Sequence, residues 1–417
     1  MVTNKVSYGD NAIIDLTSDT VSPDTLVYGY SALNADGGLI QGSYRDTQTN
    51  YGDNVTNSYT AMTSGYRLQT TAVNTFADNV LFNQPITIGN NIISCSNMFV
   101  NCHNFNQSVI IGRNVTNCAC MFDYCYNFNQ SITMPNKVTN CYGMFEYCYN
   151  FNQPVIISRN AESCADMFFS CRNFNQPVTI PNNVTTCYGM FSYCRNFNQP
   201  VNIPNNVTLY DTMFYECENF NSSVKIGKKA ARCPSMFGNC FNFNQPVVLP
   251  DGLVACYGMF RNCYNFNQLI TIPYTVTMCN NMFLGCNNFN QPVNIPNNVF
   301  TCYNMFRNCF NFNQSITIPE KATDCNNMFY YCNNFSSNIY FNGNIYRNIN
   351  IKSMLGQTNN SLQKNVYFNS ILNNVFNKTD TSSIIGSAIT WIDMEDNNGF
   401  YNEIYNIYCY NNYRVVG

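Results

Sequence analysis

The sequence has little charge, one histidine and one tryptophan, and these shortages disfavour several functions. Charged residues fill 10% of the 417 positions, with 20 basic against 23 acidic side chains. That balance provides no basic patch for nucleic acid or for an anionic membrane surface. Because His103 stands alone, acid–base catalysis by histidine is disfavoured. The sequence therefore predicts a protein that is not an enzyme and binds no nucleic acid.

Long apolar runs are also missing. No run of about 18 apolar residues is present, so no membrane insertion is expected. The polar segment from Met1 to Thr20 lacks the apolar core of a secretion signal, which predicts assembly in a reducing cytoplasm. We therefore expect the 23 cysteines to be free thiols.

Disulfides between neighbouring repeats remain the alternative, since such cysteines would lie about 5 Å apart. Cys118 and Cys120 form the one closely spaced pair. Zinc sites use paired close cysteines, so the spacing predicts neither a metal nor another cofactor.

What the sequence does contain is a strict 23-residue repeat. A phenylalanine marks each repeat without insertion or deletion, at positions 82, 105, 128, 151, 174, 197, 220, 243, 266, 289, 312 and 335. Repeats of this kind stack on their neighbours and share one continuous core.

Each repeat combines two periodicities. Val178 and Ile180 are two residues apart and face the same side of a short strand, which ends at Pro181. Spacing of i, i+3, i+4 and i+7 predicts a short helical turn for Cys187, Met190, Phe191 and Cys194. Asn196 and its equivalents precede the phenylalanine from 104 to 334, which predicts a ladder of stacked side-chain amides.

The predicted fold class is a β-rich repeat solenoid of the leucine-rich-repeat type, with one short parallel strand and one short helical turn per 23 residues. Small β hairpins are expected at both ends, at 28–44 around Asp36-Gly37 and at 390–413. The predicted domains are an attachment or capping module at 1–75, an eleven-repeat solenoid at 76–342, and a cap or oligomerisation module at 343–417.

The repeat resembles the BspA-like leucine-rich repeat, whose 23-residue unit has Ile-Pro after the strand and Ala-Phe-x-x-Cys later; here Met190-Phe-x-x-Cys194 stands in that place. The Met-Phe and Phe-Asn-Gln motifs of the repeat also look like those of a repeat in mycoplasma-type surface proteins. The segment 28–44 is similar to a short module of bacteriophage tail and fibre proteins. These resemblances imply a solenoid used in adhesion and recognition, and they carry over no catalytic residue.

Variation among the repeats separates core from surface. One variable position lies between the two inward strand residues, and the other follows the second cysteine of each repeat. Tyrosine, arginine and phenylalanine recur at the second position, which we call the Tyr/Arg column, and these types dominate binding hot spots and glycan stacking. The candidate binding residues in it are Tyr126, Tyr149, Arg172, Arg195, Phe241, Tyr264 and Phe310. The alternative is that these side chains pack on one another as ordinary solenoid surface.

Carboxylates cluster in one repeat at Asp211, Glu216 and Glu218, beside several lysines and Arg232. Paired carboxylates can hydrolyse a glycan. We interpret the cluster instead as a solvated, charge-compensated patch, and no catalytic residue is predicted.

The sequence favours a virion-associated binding protein, a bacteriophage fibre or appendage that recognises a host-surface glycan or protein. Other virion proteins and further copies of the chain, with a trimer as one possibility, are the expected partners. The alternatives are a structural virion spacer or decoration protein, and a bacterial surface adhesin.

Overall fold

The computed structural model describes residues 72–341 throughout, positions 349, 351, 353–356 and 358, and the backbone of seven further strands. Contacts divide the chain into two units, 1–161 and 162–417, which are described separately. Within the described part, no helix is long and apolar enough to cross a bilayer.

The first unit begins with an antiparallel sheet of four strands in the order β2-β1-β3-β4. These strands are β1 (Lys5–Tyr8), β2 (Asn11–Asp15), β3 (Ser31–Leu33) and β4 (Leu39–Gln41). Leu33 pairs with Leu39, which confirms the predicted hairpin. The turn at Asp36 lies outside the described residues.

Short parallel strands follow, and their register is that of the repeat. In the first unit they are β5 (Ile86–Thr87), β6 (Val109–Ile110), β7 (Ile132–Thr133) and β8 (Val155–Ile156). β5 pairs with β6, and β7 pairs with β8. In each, the first residue is buried and the second points outward, as the two-residue alternation predicts.

The second unit repeats the pattern and extends it. Its strands are β9 (Val201–Asn202), β10 (Val224–Lys225), β11 (Ile316–Ile318), β12 (Ile339–Phe341), β13 (Lys364–Phe368), β14 (Ile389–Asp393) and β15 (Tyr405–Ile407). β9 pairs in parallel with β10, and β11 to β14 form a second parallel run. The parallel strands of both units confirm the β-solenoid.

Parallel stacking continues past residue 342, where the 23-residue spacing stops. Ile339 pairs with Val366, and Val366 pairs with Trp391, so these steps are longer than 23 residues. β15 then runs antiparallel to β14, which confirms the C-terminal hairpin. An antiparallel last strand occupies the open edge that a parallel stack would otherwise leave unpaired.

The segment predicted as a short helical turn is a run of β-turns, and no helix forms in residues 72–341. Cys194 N donates to Phe191 O at 3.0 Å within the repeat, whereas Phe191 N donates to Met213 O of the next repeat at 2.9 Å. Positive φ angles at Gly189 and Tyr193 turn alternate N–H groups along the stacking direction. The helical prediction was wrong because both conformations gather i, i+3, i+4 and i+7 on one side.

Phenylalanine rings fill the interior of each unit in stacked columns. Around Phe197, the ring centroid of Phe191 lies 4.3 Å away, and those of Phe174 and Phe220 lie 5.9 and 5.8 Å away. All four rings are fully buried. Aromatic stacking thus adds to apolar burial in every repeat.

The second cysteine of each repeat has a hydrogen-bonding role in the core. Cys194 Sγ donates to Phe168 O at 2.9 Å, and Cys217 Sγ donates to Phe191 O at 2.9 Å. The same contact recurs in the first unit, where Cys125 Sγ donates to Phe99 O at 3.1 Å. The thiol is therefore a second donor to a buried carbonyl that already accepts a backbone N–H, as Phe168 O accepts the N–H of Cys171 at 2.9 Å. Burial raises the pKa of Cys187 in the other cysteine column to about 12.

Asparagine side chains link the repeats at two positions. The predicted ladder forms before the phenylalanine: Asn288 Nδ2 donates to Asn265 Oδ1 at 3.3 Å. A second ladder follows the phenylalanine, where Asn290 Oδ1 accepts the backbone N–H of Asn313 at 2.8 Å. The second ladder holds the backbone of the next repeat and also its glutamine side chain, since Gln314 Nε2 donates to Asn290 Oδ1 at 3.1 Å. This ladder was not predicted.

Tyr210 stands where other repeats have a cysteine. Its side chain is fully buried, and its hydroxyl donates to Val207 O at 2.9 Å. A Cβ atom at Gly227 would clash with the backbone oxygen of Pro204 and would also lie 2.7 Å from that hydroxyl, so a side chain there would force a shift. The irregular repeat is therefore a local repacking of the core.

Candidate ligand-binding surfaces

In the first unit, the Tyr/Arg column is a stack of rings. The Tyr126 and Tyr149 centroids lie 4.8 Å apart with an interplanar angle of 1°, and His103 stacks on Tyr126 at 4.4 Å. Tyr124 and Tyr147, from the position before the second cysteine, stack at 4.3 Å and meet this column edge-on. The rings are half-buried and form one cluster.

In the second unit, the column alternates between ion pairs and rings. Arg172 is exposed, and Arg195 Nε lies 3.1 Å from Glu218 Oε1. Phe241 and Tyr264 stack at 4.9 Å with an interplanar angle of 4°. Phe310 is exposed. Each predicted residue thus reaches the surface at least in part.

The parallel stacking of the rings determines which ring atoms of the Tyr/Arg column a ligand can contact. A sugar binds an aromatic side chain through the face of the ring. Both faces of Tyr126 are covered, by His103 and Tyr149, and one face each of Tyr149, Phe241 and Tyr264 is covered by its stacking partner, which reduces the ring surface that a ligand can contact. This geometry favours the alternative that the rings pack on one another, and it argues against glycan stacking.

The three clustered carboxylates all have partners. Asp211 Oδ2 lies 3.4 Å from Arg232 Nη2, and Glu218 pairs with Arg195. Glu216 Oε1 accepts a hydrogen bond from Asn239 Nδ2 at 2.6 Å. Carboxylates engaged in this way fit the interpretation of a charge-compensated patch.

A second set of titratable groups lies in the first unit. The potential ligand atoms of Cys120, Asp123 and Glu146 lie within 4.8 Å of one another. Thiolate and carboxylate are donors that bind Zn²⁺, although the described residues add no fourth ligand. Sequence reasoning missed this set because its members come from two repeats.

Asp123→Asn should stabilise the protein above pH 7 and have little effect below pH 4. Burial raises the pKa of the Asp123 carboxyl to about 7, and its Oδ1 accepts no hydrogen bond from the described residues. The folded state therefore holds a proton that the unfolded chain releases near pH 4, so the stability it confers is lost as pH rises through 7. Urea midpoints from pH 4 to 8 test this, with exposed Asp251→Asn as the control. Equal pH profiles for wild type and Asp123→Asn would contradict it.

The outward strand position carries exposed apolar side chains in some repeats. In the first unit, Ile110 is 63% and Ile156 is 84% exposed, while Thr133 stands between them in sequence. In the second unit, Val248 is 84% exposed, whereas Asn202 occupies the same position elsewhere. Exposed apolar side chains mark a binding surface where they form a contiguous patch with their neighbours.

A groove of about 960 Å³ lies on this side of the first unit. Ile156, Pro135 and Pro154 supply apolar walls, and Arg113 and Lys137 supply charge. Lys137 Nζ donates to Asn114 Oδ1 at 2.8 Å, which orients the ammonium group. The outward strand position varies among the repeats, but no linear pattern indicates that three repeats together line a groove.

Comparison with solved structures agrees with the fold. A leucine-rich repeat protein from Bacteroides ovatus ATCC 8483 is 14% identical, with a TM-score of 0.56 over 94% of this chain and 99% of that one. A leucine rich cell surface protein from Faecalibacterium prausnitzii A2-165 is 20% identical, with a TM-score of 0.42 over 75% of this chain and 93% of that one. No curated protein matches the chain. The leucine-rich-repeat resemblance is confirmed at the level of fold, while the resemblance of 28–44 to bacteriophage fibres stays a prediction.

A family profile matches the repeats several times over. The matched segments are 70–180, 158–250, 231–344 and 254–369, which together span most of the chain. They include the region beyond residue 342 where the parallel strands continue. The chain belongs to the family described as Mycoplasma protein of unknown function, DUF285.

Proposed function

We propose that the chain is a non-enzymatic recognition protein of the adhesin type, which binds a macromolecular partner through the outward residues of its strands. The observation that carries this proposal is the exposure of Ile110 and Ile156. The repeat between them has Thr133 at the equivalent strand position. Strand propensity does not require isoleucine there, because threonine is also β-branched. The apolar side chains are therefore dispensable for folding, and a binding role accounts for them.

A protein partner fits this surface better than a neutral glycan. Each of the rings Tyr126, Tyr149, Phe241 and Tyr264 has at least one face covered by a neighbouring ring, which reduces the surface for the stacking contact that sugars prefer. Exposed branched aliphatic side chains, in contrast, gain most from burial against a protein surface. Attachment to a virion stays a prediction, and a bacterial surface adhesin is compatible with the same surface.

The double substitution Ile110→Thr with Ile156→Thr should abolish recognition and spare the fold. Each replacement is expected to weaken binding by about 1–2 kcal/mol, as for removal of exposed apolar contacts at an interface. Flow cytometry of the labelled full-length protein on a panel of bacterial and animal cells provides the measurement. Ile93→Thr, the same change at a residue that is 43% exposed and lies outside the strands, is the matched control and should bind like wild type.

A spacer role predicts a different result. The wild-type protein would then bind none of the cells, because a spacer has no receptor. Binding that survives the double substitution would equally overturn the proposal and return attention to the Tyr/Arg column, where Tyr126→Ala with Tyr149→Ala is the next variant.

A further inference from the structure

The groove of the first unit combines an apolar wall with positive charge and no acidic residue. Its lining includes Arg113, Lys137 and Ile156, and no carboxylate is among the residues that enclose it. This arrangement contrasts with the chain as a whole, whose net charge is −3. The groove is therefore positively charged in a chain whose net charge is slightly negative.

Both cations are available to a ligand. Among the residues that the structure describes, neither Arg113 nor Lys137 forms an ion pair with a carboxylate. Lys137 is held by the neutral amide of Asn114, which fixes its position without neutralising it. A ligand carboxylate would therefore meet an oriented ammonium group that no protein carboxylate screens.

The apolar wall adds a second requirement. Ile156 is 84% exposed beside Pro135 and Pro154, so a simple polyanion would leave this surface in contact with water. A peptide that carries both acidic and branched apolar side chains satisfies the charge and the apolar wall together.

We infer that the groove binds an acidic peptide segment with branched apolar side chains, presented by a partner protein. The inference rests on the proposed function and names the chemistry of its partner. Ile156 provides the apolar contact, and Arg113 and Lys137 select the negative charge.

The second unit contains a natural control. Val248 occupies the strand position of Ile156 and is equally exposed at 84%, but the residue three positions later is Asp251. In the first unit, the residue three positions after Ile110 is Arg113. The Val248 site also has Lys229 where the groove has Lys137, and Lys229 Nζ donates to Asn206 Oδ1 at 3.1 Å. Asn205 stands where the groove has Arg113. The two sites therefore share an apolar side chain and a lysine, and they differ in the missing arginine and the added Asp251.

The test uses the full-length chain and short synthetic peptides that alternate glutamate with isoleucine, followed by fluorescence anisotropy. Ile156→Thr and Lys137→Gln should each weaken binding about tenfold, and added salt should weaken it further. Val248→Thr should leave the affinity unchanged. Peptides with lysine for glutamate, or with glutamine for isoleucine, should not bind.

Three results would overturn the inference: equal binding of the lysine peptide, equal competition by dextran sulfate, or full affinity in Ile156→Thr. Equal competition by dextran sulfate would show that the groove binds polyanions such as acidic polysaccharides. Cell binding separates this inference from the proposed function. Suppose that no peptide binds, but that the double variant Ile110→Thr, Ile156→Thr fails to bind cells that the wild type binds. The proposed recognition function then stands, and the acidic peptide partner is rejected. If the peptide binds but no cell does, the groove assignment stands and the adhesin proposal falls.

Discussion

Phe197→Ala should lower the free energy of unfolding of the second unit by about 3–5 kcal/mol, the range for large truncations in a core. The ring is fully buried and stacks against Phe191, Phe174 and Phe220. Its removal opens a cavity in the middle of a column whose neighbours are fixed by backbone hydrogen bonds. Denaturant titration followed by circular dichroism measures the loss.

Tyr188→Ala is the control for this substitution. Tyr188 lies in the neighbouring repeat and is 46% exposed, so its truncation should cost less than about 1 kcal/mol. Comparable losses for the two variants would mean that the inward and outward faces of the repeat have been assigned wrongly.

Asn290→Leu should destabilise the second unit by about 1–3 kcal/mol, the cost of leaving a partly buried donor without its acceptor. Asn290 Oδ1 accepts the backbone N–H of Asn313 at 2.8 Å and Gln314 Nε2 at 3.1 Å. Leucine keeps the approximate volume but offers no acceptor to either group. Thermal unfolding and amide hydrogen exchange at Asn313 measure the effect.

Two variants separate the lost acceptor from other consequences. Asn290→Asp retains a side-chain oxygen and should keep most of the stability. Asn288→Ala removes two amide contacts of the exposed ladder, at 3.3 and 3.4 Å, and should cost less than about 1 kcal/mol. If Asn288→Ala lowered the stability more than Asn290→Leu did, the exposed ladder would be the one that contributes more to the stability of the fold.

The strands and their register follow directly from the sequence. A spacing of two between inward residues is specific to a strand, and an unbroken 23-residue period allows one register, which Ile132↔Val155 shows. The conformation between the cysteines could not be obtained in the same way, because helical and β-turn runs share one apolar pattern. The distinguishing signal was present at the positive-φ positions, where Gly189, Asn281 and Asn304 recur in register.

The candidate sites were predictable only in part. Exposure of Tyr126 and Phe310 follows from their variable position. Mutual coverage of the ring faces does not, because it depends on the distance and angle between successive repeats. The groove and the set around Asp123 likewise combine residues from several repeats, whose side-chain geometry a linear pattern does not contain.

The buried cysteine columns have a consequence for the chemical lifetime of the protein. Only a thiolate is readily oxidised, and burial raises the pKa of Cys187 to about 12 and that of Cys194 higher still. The folded columns are therefore inert towards peroxide and oxidised glutathione, whichever compartment the protein occupies. An unfolded chain, in contrast, exposes 23 ordinary thiols that cross-link at random in air. Unfolding under oxidising conditions is thus a one-way event, and durability is set by the rate at which the stack opens.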